Sequence, residues 1–212
     1  MQVTQHGDYL TQLTRLPHLF PVNAYLVRED DGLTLVDTAL PGSAPAILAE
    51  AKRLGLPIVR IALTHAHYDH VGSLDGLREP LPNAEVLIGT RDARLLSGDT
   101  GLDPTEPQVK VRGSFARRVT KPTRLLQPGD RVGSLEVVAS PGHTPGHISF
   151  YDTRDGTLIA GDAFQTRGGI AVAGIVRPLF PFPAMGTWHR PTALESARAL
   201  RGLGPTRLAV GH

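Results

Sequence analysis

Thr64-His65-Ala66-His67-Tyr68-Asp69-His70 follows directly on the largely apolar run Pro57-Ile58-Val59-Arg60-Ile61-Ala62-Leu63. A short run of this kind reads as a strand buried on both faces, as between layers of helices. Residues two apart in an extended segment point the same way. His65 and His67 can therefore reach one metal ion. Asp69 and His70, where the chain turns into a helix, can serve a second ion nearby. Imidazole suits zinc, copper, iron and nickel, and a carboxylate adds charge and can orient a water.

Outward from this stretch, other histidines and acids recur after predicted strands. His143 and His147 lie in Ser140-Pro141-Gly142-His143-Thr144-Pro145-Gly146-His147. Pro145 and Gly146 between them argue against a helical zinc pair. The turns suit a loop that presents His143 as a ligand. His147 then starts the next strand, where packing or a supporting hydrogen bond is the better reading. Asp162 follows Leu158-Ile159-Ala160-Gly161, and its two oxygens could bridge two cations. His212 again follows an apolar run and a glycine, Leu208-Ala209-Val210-Gly211.

The remaining elements place these residues. Strands are expected at 9–16, 24–28 and 33–36, with Asp30-Asp31-Gly32 as a hairpin turn. A helix is expected at 44–54, with Ser43 as its N-cap. Beyond the 57–63 strand, the pattern gives a helix at 71–77, a strand at 84–88 and a helix at 91–96. The polar, Pro-bearing stretch 97–123 is too long for an ordinary loop, which suggests a lid or disorder. Strands follow at 131–138, 148–151 and 157–160, then an irregular apolar stretch at 164–188. A helix at 192–203 and a strand at 207–210 close the chain. Strands mixed with helices in each half predict an α/β (α+β) fold, two packed sheets with helices outside. The expected organisation is a single domain over 1–212, with two similar halves joined near 97–123.

Composition narrows the chemistry. The 212 residues include no cysteine, which excludes disulfides, thiolate metal sites and cysteine nucleophiles. Lys and Arg number 22 against 20 Asp and Glu, too even a balance for a phosphate-tracking protein. Lys110, Arg112, Arg117, Arg118, Lys121 and Arg124 read as a solvated loop, so no nucleic acid is expected as a partner. No stretch approaches the roughly 18 apolar residues of a membrane span. With no leader-like start at Met1 to Tyr9, a cytoplasmic protein is expected, with no membrane partner.

His65-x-His67-x-Asp69-His70, then His143, Asp162 and His212, in this order, resembles the metallo-β-lactamase superfamily signature. Leu35-Val36-Asp37-Thr38 is similar to the family's first motif, whose aspartate supports the site from behind the ligands. The resemblance spans Asp37 to His212 and implies a four-layer αββα sandwich of two mixed β-sheets with helices on the outer faces. It implies that His65, His67 and His143 hold one metal, that Asp69, His70 and His212 hold a second, and that Asp162 bridges them. Zinc is the implied occupant, with manganese and iron as alternatives. The implied enzyme is a binuclear hydrolase, in which a metal-bridging hydroxide attacks the carbonyl of a small lactone, ester, thioester or amide. Asp69 is implied to orient the nucleophile and protonate the leaving group.

Departures from individual members matter. No tyrosine follows Asp162, where lactonases of the family tend to place one, and no basic C-terminal region like that of the glyoxalase II-like thioesterases is expected. The alternatives are an iron-dependent sulfur dioxygenase, a phosphodiesterase and a non-catalytic metal-binding module. Phe164, Phe180, Phe182, Met185, Trp188 and His189 are expected as substrate contacts, since they concentrate scarce aromatic surface beyond Asp162. Arg167 could add a polar contact. A small molecule is the expected partner, and a homodimer is open because the same apolar loop could pack on a second copy.

Overall fold

The computed structural model describes residues 1–115 and 117–212. Ala116, inside the 97–123 stretch, lies outside the described residues. The first half forms strands β1 (Gln2–His6), β2 (Leu10–Arg15), β3 (Val22–Glu29) and β4 (Gly32–Val36), then helix α1 (Ala44–Leu54). It continues through β5 (Ile58–Leu63), α2 (Tyr68–Val71), α3 (Leu74–Arg78), β6 (Glu85–Gly89), α4 (Asp92–Leu96) and β7 (Arg124–Leu126). The second half holds β8 (Arg131–Val132), β9 (Leu135–Ala139), β10 (Ile148–Asp152), β11 (Thr157–Ile159), β12 (Phe164–Gln165) and β13 (Ala171–Val172). Helices α5 (Phe182–Gly186) and α6 (Arg190–Gly202) and strand β14 (Arg207–Ala209) complete it.

Strands β1 to β7 form one seven-stranded sheet in sequence order. It is antiparallel from β1 to β4 and parallel from β4 to β7. The second sheet runs β14-β11-β10-β9-β8, with β14 parallel to β11 and the rest antiparallel. Period-two alternation sorts the core. Tyr25, Val27, Val36, Ala62 and Leu87 of the first sheet meet Leu135, Val137, Phe150 and Ile159 of the second. The intervening residues Leu26, Leu35, Ile61, Leu63, Val86 and Ile88 turn outward onto Ile47, Leu74, Leu77 and Leu95 of α1, α3 and α4. On the far side Leu158 and Ala160 pack against Leu200 of α6. The result is a four-layer αββα sandwich. No helix among the described residues is long and apolar enough to cross a membrane.

Several boundaries differ from the sequence reading, each for a physical reason. The expected helix at 71–77 is two short helices broken at Gly72-Ser73. Ser73 Oγ there donates to Leu40 O and accepts from Ser43 N, which ties the break to the turn before α1. Ser43 precedes α1 without capping it through its side chain. Pro45 in the first turn has no N–H, so one donor fewer needs a cap. The strand expected over 131–138 is the hairpin β8–β9. Strands β1 and β7 escape the sequence pattern because pairing with a neighbour, more than burial of an apolar face, holds them. The stretch 164–188, read as irregular, contains β12, β13 and α5, elements too short for periodicity to register.

Candidate metal centre

The ends of β4, β5, β9, β11 and β14 reach one edge of the sandwich. Asp37 leaves β4, the His65–His70 segment leaves β5, and the His143 loop joins β9 to β10. Asp162 follows β11 and His212 follows β14. Ile148 N donates to Thr64 O at 3.0 Å, which ties the two sheets together beside the centre. His65, His67, His70, His143, Asp162 and His212 are all buried, and Asp69 is partly exposed. Ligand atoms of His65, His67 and His143 lie within 4.8 Å of one another, as do those of Asp69, His70 and His212. Asp162 meets His65 and His70 within the same distance. Its carboxylate is 3.2 Å from His143 Nε2 and 3.3 Å from His212 Nε2.

The outer nitrogen of each imidazole is held by a specific partner. Thr64 Oγ1 donates to Asp37 Oδ2 (2.8 Å), so it must accept from His65 Nδ1–H (3.0 Å). His67 Nε2–H donates to Arg112 O (3.0 Å). His70 Nδ1–H donates to Asp37 Oδ2 (2.9 Å). Thr187 Oγ1 donates to Pro183 O (2.8 Å) and therefore accepts from His143 Nδ1–H (3.1 Å). His212 Nδ1–H donates to Pro21 O (2.6 Å). The opposite nitrogens, His67 Nδ1 and Nε2 of the other four, then face inward.

Burial pushes the pKa of His65, His67 and His143 down, so these rings are neutral and present bare lone pairs. His67 Nδ1 and His143 Nε2 stand 2.9 Å apart with no hydrogen left to share. His65 Nε2 and Asp162 Oδ1 are buried without a hydrogen-bond partner. Converging lone pairs and orphaned acceptors at this depth fit cations between them. At His212 burial opposes a positive charge, but Asp162 and Asp69 outweigh it and lift the pKa to about 9. His70 is raised in the same way by Asp162 and Asp37. Burial works to raise Asp162, yet His212, His70 and His143 hold it well below the carboxylate range.

Two further residues set the loops. Asp37 accepts from Thr64 N, Thr64 Oγ1 and His70 Nδ1, in a left-handed backbone conformation with φ of 60°. Asp92, which sequence reasoning missed, accepts from Ala66 N (2.9 Å), Thr144 Oγ1 (2.9 Å) and Gly146 N (2.8 Å). It pins the His65–His67 loop to the His143 loop. Burial lifts its pKa to about 6 against those three bonds. Nothing in the local sequence distinguishes it from an aspartate in the first turn of a helix. Asp92→Ala leaves three donors without an acceptor, and the expected cost is about 3 kcal/mol or more. Urea unfolding measures it, and a loss below about 1 kcal/mol would contradict this pinning role.

His147 does not face the centre. Its Nε2 accepts from Asp162 N (3.1 Å), and its Nδ1–H donates to Ser140 Oγ (2.8 Å). Burial drops its pKa to about 3, so it supports Asp162 as a neutral ring. The 97–123 stretch supplies a strap across the site. Arg112 O holds His67, Ser114 O accepts from Tyr68 N, and Val109 O accepts from Trp188 Nε1. A Cβ at Gly113 would overlap the His67 ring, so glycine lets the strap close there.

A cavity of about 400 Å³ opens over the centre. Phe182 and Met185 line it, with Phe20, Tyr68, Gly113, Ser114, Pro183 and Gly186. The other expected contacts lie elsewhere. Phe164 packs beside Leu158 and Leu200. Phe180 is buried behind Phe182 and against His212. Trp188 joins the core, and His189 Nδ1 bonds Thr192 Oγ1. Arg167 donates to the carbonyls of Pro17 and His18. Phe20 went unrecognised because a lone aromatic between His18-Leu19 and Pro21 carries no periodic signal.

Residues 18–212 match the family model of the metallo-beta-lactamase superfamily. The uncharacterized protein YobT of Bacillus subtilis (strain 168) is 53% identical over 213 residues, covering 100% of this chain and 91% of that protein. The probable metallo-hydrolase YflN of the same organism is 31% identical, over 90% of this chain and 80% of its own length. Among solved structures, TTHA1623 in a di-iron-bound form superposes with a TM-score of 0.68 at 28% identity, covering 95% of this chain and 91% of that one. With the sandwich, the ordered ligand-type residues and this match over nearly its whole length, the chain belongs to the metallo-beta-lactamase superfamily.

Proposed function

We propose that this protein is a binuclear metal-dependent hydrolase of a small lactone, ester, thioester or amide. His65, His67 and His143 would hold one ion, Asp69, His70 and His212 the other, and Asp162 both. The observation that carries this reading is the set of imidazoles whose outer nitrogens are all hydrogen-bonded while their inner ones converge on Asp162. Two bound divalent ions would make a shared water acidic enough to ionise near neutral pH and would offset negative charge on the substrate oxygen. Zinc is the proposed occupant. Iron is the second candidate, because TTHA1623, similar over almost the whole chain, was obtained with two irons.

The chain's own residues then have defined tasks. Asp69 lines the cavity, and its carboxylate stays ionised because His212 and His70 outweigh its burial. It can accept a proton from the attacking water and return it to the leaving alcohol, thiol or amine. Water adds to the carbonyl carbon, the acyl–heteroatom bond breaks, and an acid is released. The strap through Arg112 keeps His67 in one orientation, and Asp37 does so for His70. A small molecule is the proposed partner, since the centre opens into a cavity of about 400 Å³.

Elemental analysis of protein purified without chelators or added metal tests this proposal. Close to two zinc ions per chain, with lactone or thioester turnover that a chelator abolishes, is the expected result. Two irons with such turnover would keep the hydrolase and change the metal. One iron with substrate-dependent oxygen uptake would replace it with the dioxygenase reading.

A further inference from the structure

The cavity wall divides into two chemically distinct parts. Every ionisable lining residue other than Tyr68 belongs to the candidate metal centre: His67, Asp69, His143, Asp162 and His212. The outer wall is Phe20, Tyr68, Phe182, Pro183, Met185 and the backbone of Gly113 and Gly186, with Ser114 at its edge. None of the described lining residues is a lysine or an arginine.

None of the nearby arginines lines the cavity. Arg167 donates to the carbonyls of Pro17 and His18, and its guanidinium lies 5.7 Å from the centre of the buried Phe180 ring. Arg118 lies 4.9 Å from the Tyr68 ring centre, with Asp75 at 3.9 Å. Arg112 gives the centre its carbonyl and does not line the cavity. A substrate carboxylate or phosphate on the outer wall would lose water and find no lysine or arginine among the described lining residues, an unfavourable exchange.

Hydrocarbon would be favoured at the same place. Phe182 and Met185 are 53% and 63% exposed, and Leu19 and Leu179, next in sequence to Phe20 and Phe180, are 77% and 80% exposed. Phe20 packs tilted against Phe180 and edge-on against Phe182, at ring distances of 5.3 and 5.2 Å. Exposed apolar surface that continues into a reaction cavity gains most when a ligand covers it.

We propose that the non-reacting part of the substrate is an uncharged hydrocarbon group covered by Phe20, Phe182 and Met185, and that substrates with an anionic group there are excluded. This specificity rests on the hydrolase reading of the same site.

Two matched pairs test it on protein of known metal content. For turnover, p-nitrophenyl hexanoate is compared with mono-p-nitrophenyl adipate, which ends in a carboxylate. The hexanoate is expected to have a kcat/KM at least about tenfold higher, equivalent to about 1.4 kcal/mol. For binding without turnover, calorimetry compares octanohydroxamic acid with its counterpart ending in a carboxylate, and about tenfold tighter binding of the first is expected. Met185→Arg, at an exposed position of α5, should bring the two hydroxamates to within about threefold by supplying the missing cation. Equal binding of the two by the unaltered protein, tighter binding of the carboxylate form, or binding of neither overturns the proposal. If the apolar hydroxamate is preferred while neither ester turns over, the specificity stands and the hydrolase reading fails.

Discussion

Asp162→Ala is expected to lower kcat/KM by roughly three orders of magnitude or more and to reduce the bound metal from the proposed two ions per chain toward one. The carboxylate of Asp162 lies 3.2 to 3.3 Å from the inner nitrogens of His70, His143 and His212. It thereby meets His143 on one side of the centre and His70 and His212 on the other. Its loss would leave the proposed ion between His65, His67 and His143 with imidazoles alone and the other with Asp69 as its one carboxylate. The Lewis-acid contribution at stake is several kcal/mol, and each 1.36 kcal/mol is a factor of ten in rate. The fold is expected to survive, because the backbone bond from Asp162 N to His147 does not involve the side chain. Circular dichroism should match the unaltered protein. Turnover at the unaltered rate on an authentic substrate would remove Asp162 from its assigned role.

Gly211→Ala is expected to cost about a hundredfold in rate, with loss of the metal proposed to sit between Asp69, His70 and His212. A methyl group at this position would overlap Asp162 Oδ1 and stand 2.5 Å from His70 Cε1. The backbone cannot withdraw to make room. Gly211 N donates to Gly161 O at 2.8 Å, and Gly211 O accepts from Asn23 N at 2.9 Å. The two ligand side chains must move instead, and a displacement near 1 Å at reacting groups costs about that factor. Gly202→Ala at the end of α6 meets nothing within 4 Å and serves as the control. Metal content and kcat/KM unchanged in Gly211→Ala would place the segment after β14 away from the centre.

What was legible in the chain follows a physical pattern. Strands β3 to β6 are largely apolar because both of their faces are buried, one against the second sheet and one against helices. That burial leaves a signal in a single sequence. The His65–His70 cluster is equally legible, since its residues are adjacent and follow such a strand. The small elements left no comparable trace. Strands β12 and β13 pair with each other over only two residues, and helix α5 spans five, too short for a period to register.

The sequence by itself determined the layered arrangement, the absence of thiolate chemistry and the identity of residues suited to hold metal. These are properties of residue type, local spacing and order along the chain. Only the tertiary structure decided which nitrogen of each imidazole faces inward. That choice depends on partners such as Arg112 O, Thr187 Oγ1 and Pro21 O, which lie 45, 44 and 191 residues from the histidines they hold. The structure alone also placed Asp92 between two loops and sorted the aromatics beyond Asp162. Phe182 and Met185 reach the cavity, whereas Phe164 and Trp188 fill the interior. An apolar side chain carries the same hydrophobic driving force in either place, so only long-range packing distinguishes a wall from a core.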